Sequence, residues 1–304
     1  MCAVCEKGQY CGNAGNSAPD GDCAPGYVCA ENSAADHRFK DITPRGTYAP
    51  GGSFKSTDCA AGKYAPIAGL SECLECPAGK ICDDGAIRPQ ACPAGYFCPA
   101  GSHSKSKQEC PRGTYGGANL TNTNDCTPCE AGHYCPIATD ASDIDDLKCS
   151  QGYFCPPGSR TKKGRQAYCK EPTSASLECL VGHYCPEGTA VPIPCPRGKY
   201  SGSPGQHLQS ACEWCPSGQY CDKKGLQQSQ GECDAGFYCF RGVDNRRPTS
   251  GVSKENGVYI GGDVCPRGYY CPADELQPVA CPEGKYSNNT GAEVGCYECY
   301  SSYF

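Results

Sequence analysis

One cysteine pattern recurs along this chain and restricts its fold more than any other feature. The pattern is C-x-x-G-x-(aromatic or aliphatic)-C, with a glycine three residues after the first cysteine in every copy. The ten copies begin at Cys5, Cys23, Cys76, Cys92, Cys129, Cys149, Cys179, Cys215, Cys233 and Cys265. A glycine at a fixed place between two cysteines suits a tight turn with positive φ that leads into a short strand. The sequence therefore predicts a series of cysteine-flanked turns.

The chain lacks the residues from which an ordinary hydrophobic core is built. Leu, Ile, Val and Phe make up 34 of the 304 residues. That share is about 11%, against the ~20% below which a compact core is not expected. The 31 cysteines are instead typical of a disulfide scaffold, in which cross-links replace buried area as the source of stability. Because disulfides at this density persist in oxidising compartments, we expect an extracellular or cell-surface protein.

A second pattern, C-P-x-G-x-Y, marks the start of longer units. Outside the C-x5-C blocks it begins at Cys110, Cys195 and Cys281, with a proline-free variant at Cys59, and a copy at Thr43 lacks the cysteine. Each cysteine-bearing copy is followed by a C-x-x-C. This spacing predicts a stacked array, cut out of a longer one, in which each module contacts mainly its neighbours. The predicted ranges are 1–58 (a partial repeat with a degenerate linker), 59–109, 110–194 with an insertion, 195–280 with an insertion, and 281–304 (a partial repeat).

The secondary structure is expected to be sparse. Helical periodicity is absent, and 39 glycines and 26 prolines interrupt the chain too often for helices. The fold class is predicted as small disulfide-rich modules in tandem, forming an elongated array of short β-hairpins and loops with little or no helix. Asn256-Gly257 predicts a hairpin turn in the cysteine-free stretch 240–264. Most tyrosines follow a glycine, and their rings are predicted to pack on disulfides or on the next module's turn.

These motifs, C-P-x-G-x-Y followed by C-x-x-C and then C-x-x-G-x-Y-C-P, resemble ephrin-receptor-like extracellular cysteine-rich repeats. At lower resolution they are similar to the cysteine-rich modules of tumour-necrosis-factor receptors. The resemblance covers nearly the whole chain. It implies that the cysteine opening a unit bridges to the first cysteine of its C-x-x-C. Carried onto this sequence, the implied pairs are Cys59–Cys73, Cys110–Cys126, Cys195–Cys212 and Cys281–Cys296.

For the remaining blocks we predict interlaced pairs, because pairing two C-x5-C blocks with each other gives loops of similar size. These pairs are Cys76–Cys92 with Cys82–Cys98, Cys129–Cys149 with Cys135–Cys155, Cys215–Cys233 with Cys221–Cys239, and Cys5–Cys23 with Cys11–Cys29. Cys179/Cys185 and Cys265/Cys271 are assigned internal bridges. This scheme leaves Cys2, Cys299 and Cys169 without a partner. A leftover Cys169 indicates either an intermolecular bridge or a connectivity different from the one predicted.

Two sequons offer sites for N-linked glycans. Asn119-Leu-Thr and Asn288-Asn-Thr both follow the tyrosine of a C-P-x-G-x-Y turn by a few residues. In a secreted chain, two sequons on equivalent loops favour glycan attachment over chance occurrence. We therefore predict N-glycosylation at Asn119 and Asn288.

Other chemistry is disfavoured. The formal charge is −6 with scattered Lys and Arg, so no nucleic-acid partner is expected, and no apolar run predicts a membrane span in this segment. The C-x-x-C pairs lie too far apart for a structural zinc site, and the acidic run 140–146 lacks the glycine and glutamate of an EF-hand loop. Bridged cysteines are not nucleophiles. The sequence predicts no enzyme, no cofactor and no metal.

Two functions remain. The first is a structural extracellular glycoprotein, the protomer of a filament, appendage or surface coat on a protist, which self-associates into a homo-polymer. The second is a ligand-binding or adhesion ectodomain of a cell-surface receptor. For assembly, the segments 160–175 and 240–264 are the predicted contacts, because they interrupt the repeat.

Overall fold

A computed structural model describes residues 5–13, 15–30, 41–164, 177–273 and 276–299. The contacts divide the chain into two compact units. The first comprises Met1–Cys129 and Cys135–Asp146, and the second comprises Glu130–Tyr134 and Leu147–Phe304. The five repeat ranges inferred from the sequence stay a prediction.

Nearly all regular structure in the described residues consists of short antiparallel hairpins, which confirms the predicted class of disulfide-rich modules in tandem. The strands of the first unit are β1 (Gln9–Tyr10), β2 (Gly21–Asp22), β3 (Thr47–Tyr48), β4 (Thr57–Asp58), β5 (Lys63–Tyr64), β6 (Leu74–Glu75), β7 (Lys80–Ile81), β8 (Gln90–Ala91), β9 (Tyr96–Phe97), β10 (Gln108–Glu109), β11 (Thr114–Gly116), β12 (Thr127–Pro128) and β13 (Thr139–Asp140). Two short 3-10 helices, Thr123–Asp125 and Ala141–Asp146, belong to the same unit.

The second unit repeats the plan. Its strands are β14 (His183–Tyr184), β15 (Ile193–Pro194), β16 (Lys199–Tyr200), β17 (Glu213–Trp214), β18 (Gln219–Tyr220), β19 (Gly231–Glu232), β20 (Phe237–Cys239), β21 (Gly251–Glu255), β22 (Val258–Val264), β23 (Tyr269–Tyr270), β24 (Val279–Ala280), β25 (Lys285–Tyr286) and β26 (Tyr297–Glu298). One 3-10 helix, Gln209–Ala211, is described there.

Most hairpins follow from the cysteine-flanked turn that precedes them. The glycine of the turn has positive φ in all ten C-x-x-G blocks, for example +77° at Gly79 and +78° at Gly95, which confirms the predicted turn. Such values favour glycine because it carries no Cβ. In most blocks the two residues after the glycine then pair with the two residues before the next opening residue, as β7 pairs with β8. In the blocks that begin at Cys23, Cys129 and Cys149, a single bridge takes the place of this ladder. The cysteines therefore lie just outside both ends of a two-residue ladder.

Two sheets are larger. In the first unit, β11 pairs antiparallel with β12 and parallel with β13. In the second unit, β22 pairs with both β20 and β21, and the β21–β22 hairpin turns at Asn256 and Gly257, whose φ angles are +47° and +83°. This confirms the predicted Asn-Gly turn. The β21–β22 hairpin is the longest regular element among the described residues.

Cystine fills the interior of the described residues. Most of the buried side chains are cysteines, with few aliphatic ones among them. Two small clusters add aromatic rings: Phe97 packs on the Cys110–Cys126 bridge, and Tyr220 packs on the Cys233–Cys239 bridge. The predicted packing of a tyrosine ring on a disulfide is present at Tyr220, and Phe97 makes a similar contact that the tyrosine pattern did not predict.

Candidate functional site

The feature that recurs throughout both units is the contact between successive hairpins. We call the residue that begins each turn the opener, which is a cysteine or Thr43, and the residue three places later the turn glycine. A rung is the segment of chain from one opener to the residue before the next opener. Openers follow one another at about 16 to 20 residues, except for longer rungs after Cys149 and Cys233. The structural repeat is thus shorter than the units inferred from C-P-x-G-x-Y.

Fourteen turn glycines, from Gly8 to Gly268, each join their rung to the next rung through both of their backbone polar groups. The Gly62 N–H donates to the Cys82 carbonyl at 2.8 Å, and the Cys76 N–H donates to the Gly62 carbonyl at 2.8 Å. The acceptor of the glycine N–H always lies six residues after the next opener. The described residues contain seven such glycine bonds in the first unit, at 2.8–3.0 Å, and seven in the second, at 2.7–2.9 Å. Each unit is therefore a hydrogen-bonded stack of rungs.

Most turn glycines also leave no room for a side chain, whereas Gly268 and Gly284 have open space at the Cβ position. A Cβ on Gly62 would lie 2.4 Å from the Gly101 carbonyl oxygen, and a Cβ on Gly182 would lie 2.2 Å from the Gly225 carbonyl oxygen. In both cases the carbonyl belongs to the second rung ahead. Glycine is thus required here for close backbone approach as well as for its positive φ. Sequence reasoning found the φ requirement and missed this contact.

Nine C-x5-C blocks are closed internally, so the interlaced pairing is wrong. The bridges are Cys23–Cys29, Cys76–Cys82, Cys92–Cys98, Cys129–Cys135, Cys149–Cys155, Cys179–Cys185, Cys215–Cys221, Cys233–Cys239 and Cys265–Cys271. The tight turn brings the two Cα atoms of each block to 5.7–6.5 Å, which is within bridging range. The neighbouring block lies in another rung, and each of its cysteines already has a local partner. The internal bridges predicted at Cys179/Cys185 and Cys265/Cys271 are present.

Four longer bridges use the C-P-x-G-x-Y type of turn. They are the four pairs that the resemblance implies: Cys59–Cys73, Cys110–Cys126, Cys195–Cys212 and Cys281–Cys296. In these rungs the sixth residue after the opener is not a cysteine but a small buried one: Ala65, Gly116, Ser201 and Ser287. The opener therefore has no local partner and bridges to the cysteine that directly precedes the second strand of its own hairpin.

Thr43 shows what the stack requires when the cysteine is absent. Its side chain is 1% exposed, its N–H donates to the Gly26 carbonyl at 3.0 Å, and its hydroxyl donates to the same carbonyl at 3.1 Å. The sixth residue, Ala49, is fully buried. Thr43 thus opens a regular rung without a bridge. The degenerate copy seen in the sequence keeps its structural place.

Three described cysteines are free thiols: Cys5, Cys11 and Cys299. The predicted pairs Cys5–Cys23 and Cys11–Cys29 are wrong, because Cys23 and Cys29 bridge each other. Burial, together with Cys11, raises the pKa of the Cys5 thiol to about 11. Cys2 and Cys169 lie outside the described residues, so the Cys169 prediction stays open.

Both sequon asparagines are exposed and lie in the loop that follows the first strand of a rung. Asn119 has a φ of +68°, and its Oδ1 accepts a hydrogen bond from Lys80 Nζ at 3.0 Å. Asn119 and Gly291 occupy equivalent positions in their respective rungs, because the N–H of each donates to the carbonyl of the opener of the preceding rung. Asn288 lies three residues before Gly291. The two sequons therefore lie in the same type of loop, but their asparagines occupy positions three residues apart within it.

A groove in the second unit was not found from the sequence. It has a volume of about 760 Å³ and is lined in part by Lys199, Tyr200, Glu213, Trp214 and Arg241. The Lys199 ammonium lies 3.9 Å from the centroid of the Trp214 ring, and the Tyr200 hydroxyl donates to Glu213 at 3.0 Å. That hydrogen bond raises the pKa of Tyr200. The groove carries charges of both signs, which suits a polar or ionic ligand. The single tryptophan of the chain, Trp214, was the sequence feature that could have indicated this groove.

Two negative findings apply to the described part of the chain. No group of three or more His, Cys, Asp or Glu side chains is arranged to hold a metal ion. No helix there has the length and apolar character needed to cross a bilayer. In the acidic run, Asp143, Asp145 and Asp146 are exposed, and Ile144 is the buried residue of its short helix.

Comparison with known proteins places the chain among cysteine-rich repeats. No protein-family model matches. The chain is 26% identical to Cysteine repeat modular protein B of Toxoplasma gondii over an alignment of 314 residues, which covers 98% of the chain and 4% of that protein. The similarity and the tandem bridges together show a disulfide-rich cysteine repeat protein.

Plant proteins match over a shorter stretch. The chain is 26% identical to ABC transporter G family member 28 of Arabidopsis thaliana over 151 residues, 45% of the chain and 11% of that protein. It is also 26% identical to ABC transporter G family member 25 of Oryza sativa subsp. japonica over 166 residues, 53% of the chain and 14% of that protein. The chain thus spans 4% to 14% of the length of these relatives.

Proposed function

We propose that this chain is a segment of a structural extracellular glycoprotein that self-associates into a filament, appendage or surface coat. The observation that carries the proposal is the succession of inter-rung hydrogen bonds within each unit, reinforced by a disulfide in nearly every described rung. Such a stack resists local unfolding, because a rung cannot leave without breaking bonds to its neighbours. That property suits a load-bearing or protective component, and the role is non-enzymatic.

Several observations support the extracellular location and the source. Thirteen disulfides join described residues, and disulfides at this density persist outside the reducing cytosol. The Toxoplasma gondii protein covers almost the whole chain, which supports a protist cell surface. The ephrin-receptor-like or tumour-necrosis-factor-receptor-like family stays our finer proposal, and the four long bridges support it because they are the pairs that this resemblance implies.

N-linked glycans at Asn119 and Asn288 belong to the proposal, since both side chains are exposed. Secretion of the chain from a eukaryotic host should give a mass that falls on treatment with peptide-N-glycosidase. Asn119→Gln and Asn288→Gln should each remove one glycan. Asn289→Gln, beside the second site but not the acceptor of a sequon, is the matched control and should leave the mass of the glycan unchanged. A secreted chain with the bare polypeptide mass would refute the assignment.

Electron microscopy of the secreted protein at increasing concentration tests the structural role. Regular polymers with a constant axial spacing are the expected result. Analytical ultracentrifugation on the same samples should show sedimentation that increases with concentration. A chain that stays monomeric at every concentration in both measurements would contradict the proposal.

The groove beside Trp214 favours a second candidate, a ligand-binding or adhesion ectodomain. Its lining includes Arg241 and Trp214, and arginine and tryptophan are residue types enriched where proteins bind partners. For this candidate the protein remains monomeric and binds a soluble partner, and Arg241→Gln weakens that binding. Monomers that bind nothing would exclude both candidates.

A further inference from the structure

The hairpin beside the groove has an aromatic ring where its counterparts have a carboxylate. Three of the four rungs with a long bridge carry a lysine directly after the turn glycine. In two of them this lysine pairs across the hairpin with a glutamate, and the pairs are Lys63–Glu75 and Lys285–Glu298. The second pair is an ion pair at 3.8 Å. Lys199 instead lies opposite Trp214, so no carboxylate neutralises it from the facing strand.

The tryptophan ring holds the lysine in place and leaves its charge available. The Lys199 ammonium lies 3.9 Å from the centroid of the Trp214 ring, a cation–π contact that does not cancel the charge. The ring also lies against Gly242, where a Cβ would be 2.5 Å from Cε3 of the indole. Trp214 is nevertheless 38% exposed. Lysine and indole therefore form a supported pair that faces solvent.

A second cation reaches the same groove from a different rung. Arg241 lines the groove, and its backbone is fixed on both sides. The Gly242 N–H donates to the Cys215 carbonyl at 2.9 Å, and the Gly261 N–H donates to the Arg241 carbonyl at 3.0 Å. Within the described residues, neither Lys199 nor Arg241 forms an ion pair with a carboxylate. The groove thus offers an ammonium and a guanidinium to an oxyanion.

The other polar groups of the groove suit hydroxyls. Glu213 accepts a hydrogen bond from the Tyr200 hydroxyl at 3.0 Å through one oxygen, and a carboxylate has room for further O–H donors. Ser210 and Ser217 also line the groove. The Glu213 carboxylate repels an acidic peptide, whereas it accepts hydrogen bonds from sugar hydroxyls. The volume of about 760 Å³ lies in the range of small-ligand sites.

We propose that this groove binds an acidic saccharide. Its sulfate or carboxylate groups pair with Lys199 and Arg241, and its hydroxyls donate to Glu213. The inference rests on the second candidate function, the ligand-binding ectodomain, and names the chemical class of its ligand. Because the chain as a whole has a formal charge of −6, its net charge repels a polyanion, and the attraction is local to the groove.

Tryptophan fluorescence tests the site, because Trp214 is the one tryptophan of the chain. The secreted protein is titrated with a heparin tetrasaccharide, a hyaluronan tetrasaccharide, uncharged chitotetraose and inorganic sulfate. At least one acidic tetrasaccharide should give a saturable change, with an affinity at least ~10-fold above those of chitotetraose and sulfate. The affinity should decrease as salt is added. The heparin and hyaluronan titrations distinguish sulfate from carboxylate as the bound group.

Variants connect the signal to the groove. Lys199→Gln and Arg241→Gln should each weaken binding at least ~10-fold. Lys223→Gln removes an exposed charge of the same unit outside the groove lining and is the matched control. Trp214→Glu introduces the residue that the two counterpart hairpins carry opposite their lysine. This variant should therefore fold, and calorimetry should show that it no longer binds the saccharide.

The proposal is overturned if neither acidic tetrasaccharide binds, or if both glutamine variants bind as tightly as the wild type. It is equally overturned if inorganic sulfate or an aspartate tetrapeptide binds as tightly as the saccharides. A monomeric protein that binds a soluble protein partner but no saccharide refutes this inference alone. A chain that polymerises and binds no partner refutes the ectodomain function itself.

Discussion

At the residue scale, the turn glycine has three separate tasks. It adopts positive φ, it hydrogen-bonds the next rung with both backbone groups, and in most rungs it leaves space for a carbonyl from the second rung ahead. Its place in C-x-x-G indicated the first task. The other two depend on where later rungs lie, and no residue within the motif encodes that.

Two alanine substitutions separate these tasks. Gly62→Ala combines an unfavourable φ of +88° with a Cβ only 2.4 Å from the Gly101 oxygen, whereas Gly85→Ala has a φ of +65° and nothing within 4 Å. We expect a cost of ~1 kcal/mol for Gly85→Ala from φ alone, and ~3 kcal/mol for Gly62→Ala because the stack must also shift. Hydrogen exchange measures this as amide protection in the rungs around each site. Equal loss of protection in the two variants would rule out the close contact.

At the element scale, the residue six places after the opener determines how a rung is bridged. A cysteine there closes the turn, as in Cys76–Cys82, and a small residue such as Ala65 leaves the opener to bridge the far end of its hairpin, as in Cys59–Cys73. The rule needs no information beyond one rung. The interlaced prediction failed because it compared loop lengths and ignored how the turn positions the two Cα atoms.

The rung that opens at Thr43 should accept a bridge. Its far end is Ser56, three residues before Cys59, as Cys73 is three residues before Cys76. The double variant Thr43→Cys/Ser56→Cys should form a disulfide whose loop entropy stabilises the fold by up to ~3 kcal/mol. Non-reducing peptide mapping identifies the bridge, and thermal unfolding measures the gain. Ser56→Cys alone should leave a free thiol, and free thiols at both positions of the double variant would disprove the equivalence.

The β21–β22 hairpin is the element best suited to contact between copies. It lies within the stretch 240–264, which interrupts the repeat, and it exposes Val252 at 37%, Val258 at 39% and Tyr259 at 49%. Much of the other predicted contact segment, 160–175, lies outside the described residues. We therefore test contact between copies with substitutions on this hairpin.

Charged residues on this hairpin should impair polymer formation. Val252→Lys/Val258→Lys places two ammonium groups on its exposed surface and should raise the concentration needed for polymers by at least ~10-fold, through repulsion and lost apolar contact. Val191→Lys is the matched control, because Val191 is 72% exposed and lies outside the hairpin. Light scattering against concentration gives the comparison. Unchanged assembly in the double variant would remove the hairpin from the interface.

At the scale of the whole molecule, disulfides and inter-rung hydrogen bonds stabilise the fold in place of a large apolar core. The described residues contain only two small hydrophobic clusters, and each of them includes cystine. Each six-residue bridge contributes ~2 kcal/mol by loop entropy, so the thirteen bridges together exceed the 5–15 kcal/mol that separates typical folded and unfolded states. The fold therefore depends on oxidation.

Complete reduction and alkylation should unfold the chain. We expect hydrogen-exchange protection to fall across the described rungs and the radius of gyration from small-angle scattering to increase towards that of an unfolded chain. The control is unreduced protein alkylated at its free thiols, Cys5, Cys11 and Cys299, which should keep its protection. A reduced chain that kept the protection of the oxidised one would mean that apolar packing and hydrogen bonds suffice.

The sequence by itself determined the cysteine-flanked turns, the short hairpins that follow them, the Asn256-Gly257 turn and the reliance on disulfides, because each follows from residue spacing within about 20 positions. Only the tertiary structure decided which cysteines remain free, that Thr43 opens a regular rung, and that Trp214 lines a groove. It also decided the hydrogen bonds between rungs. Most of these features depend on how separate rungs pack on one another, and within a single rung only the recurrent turn glycine reflects that packing.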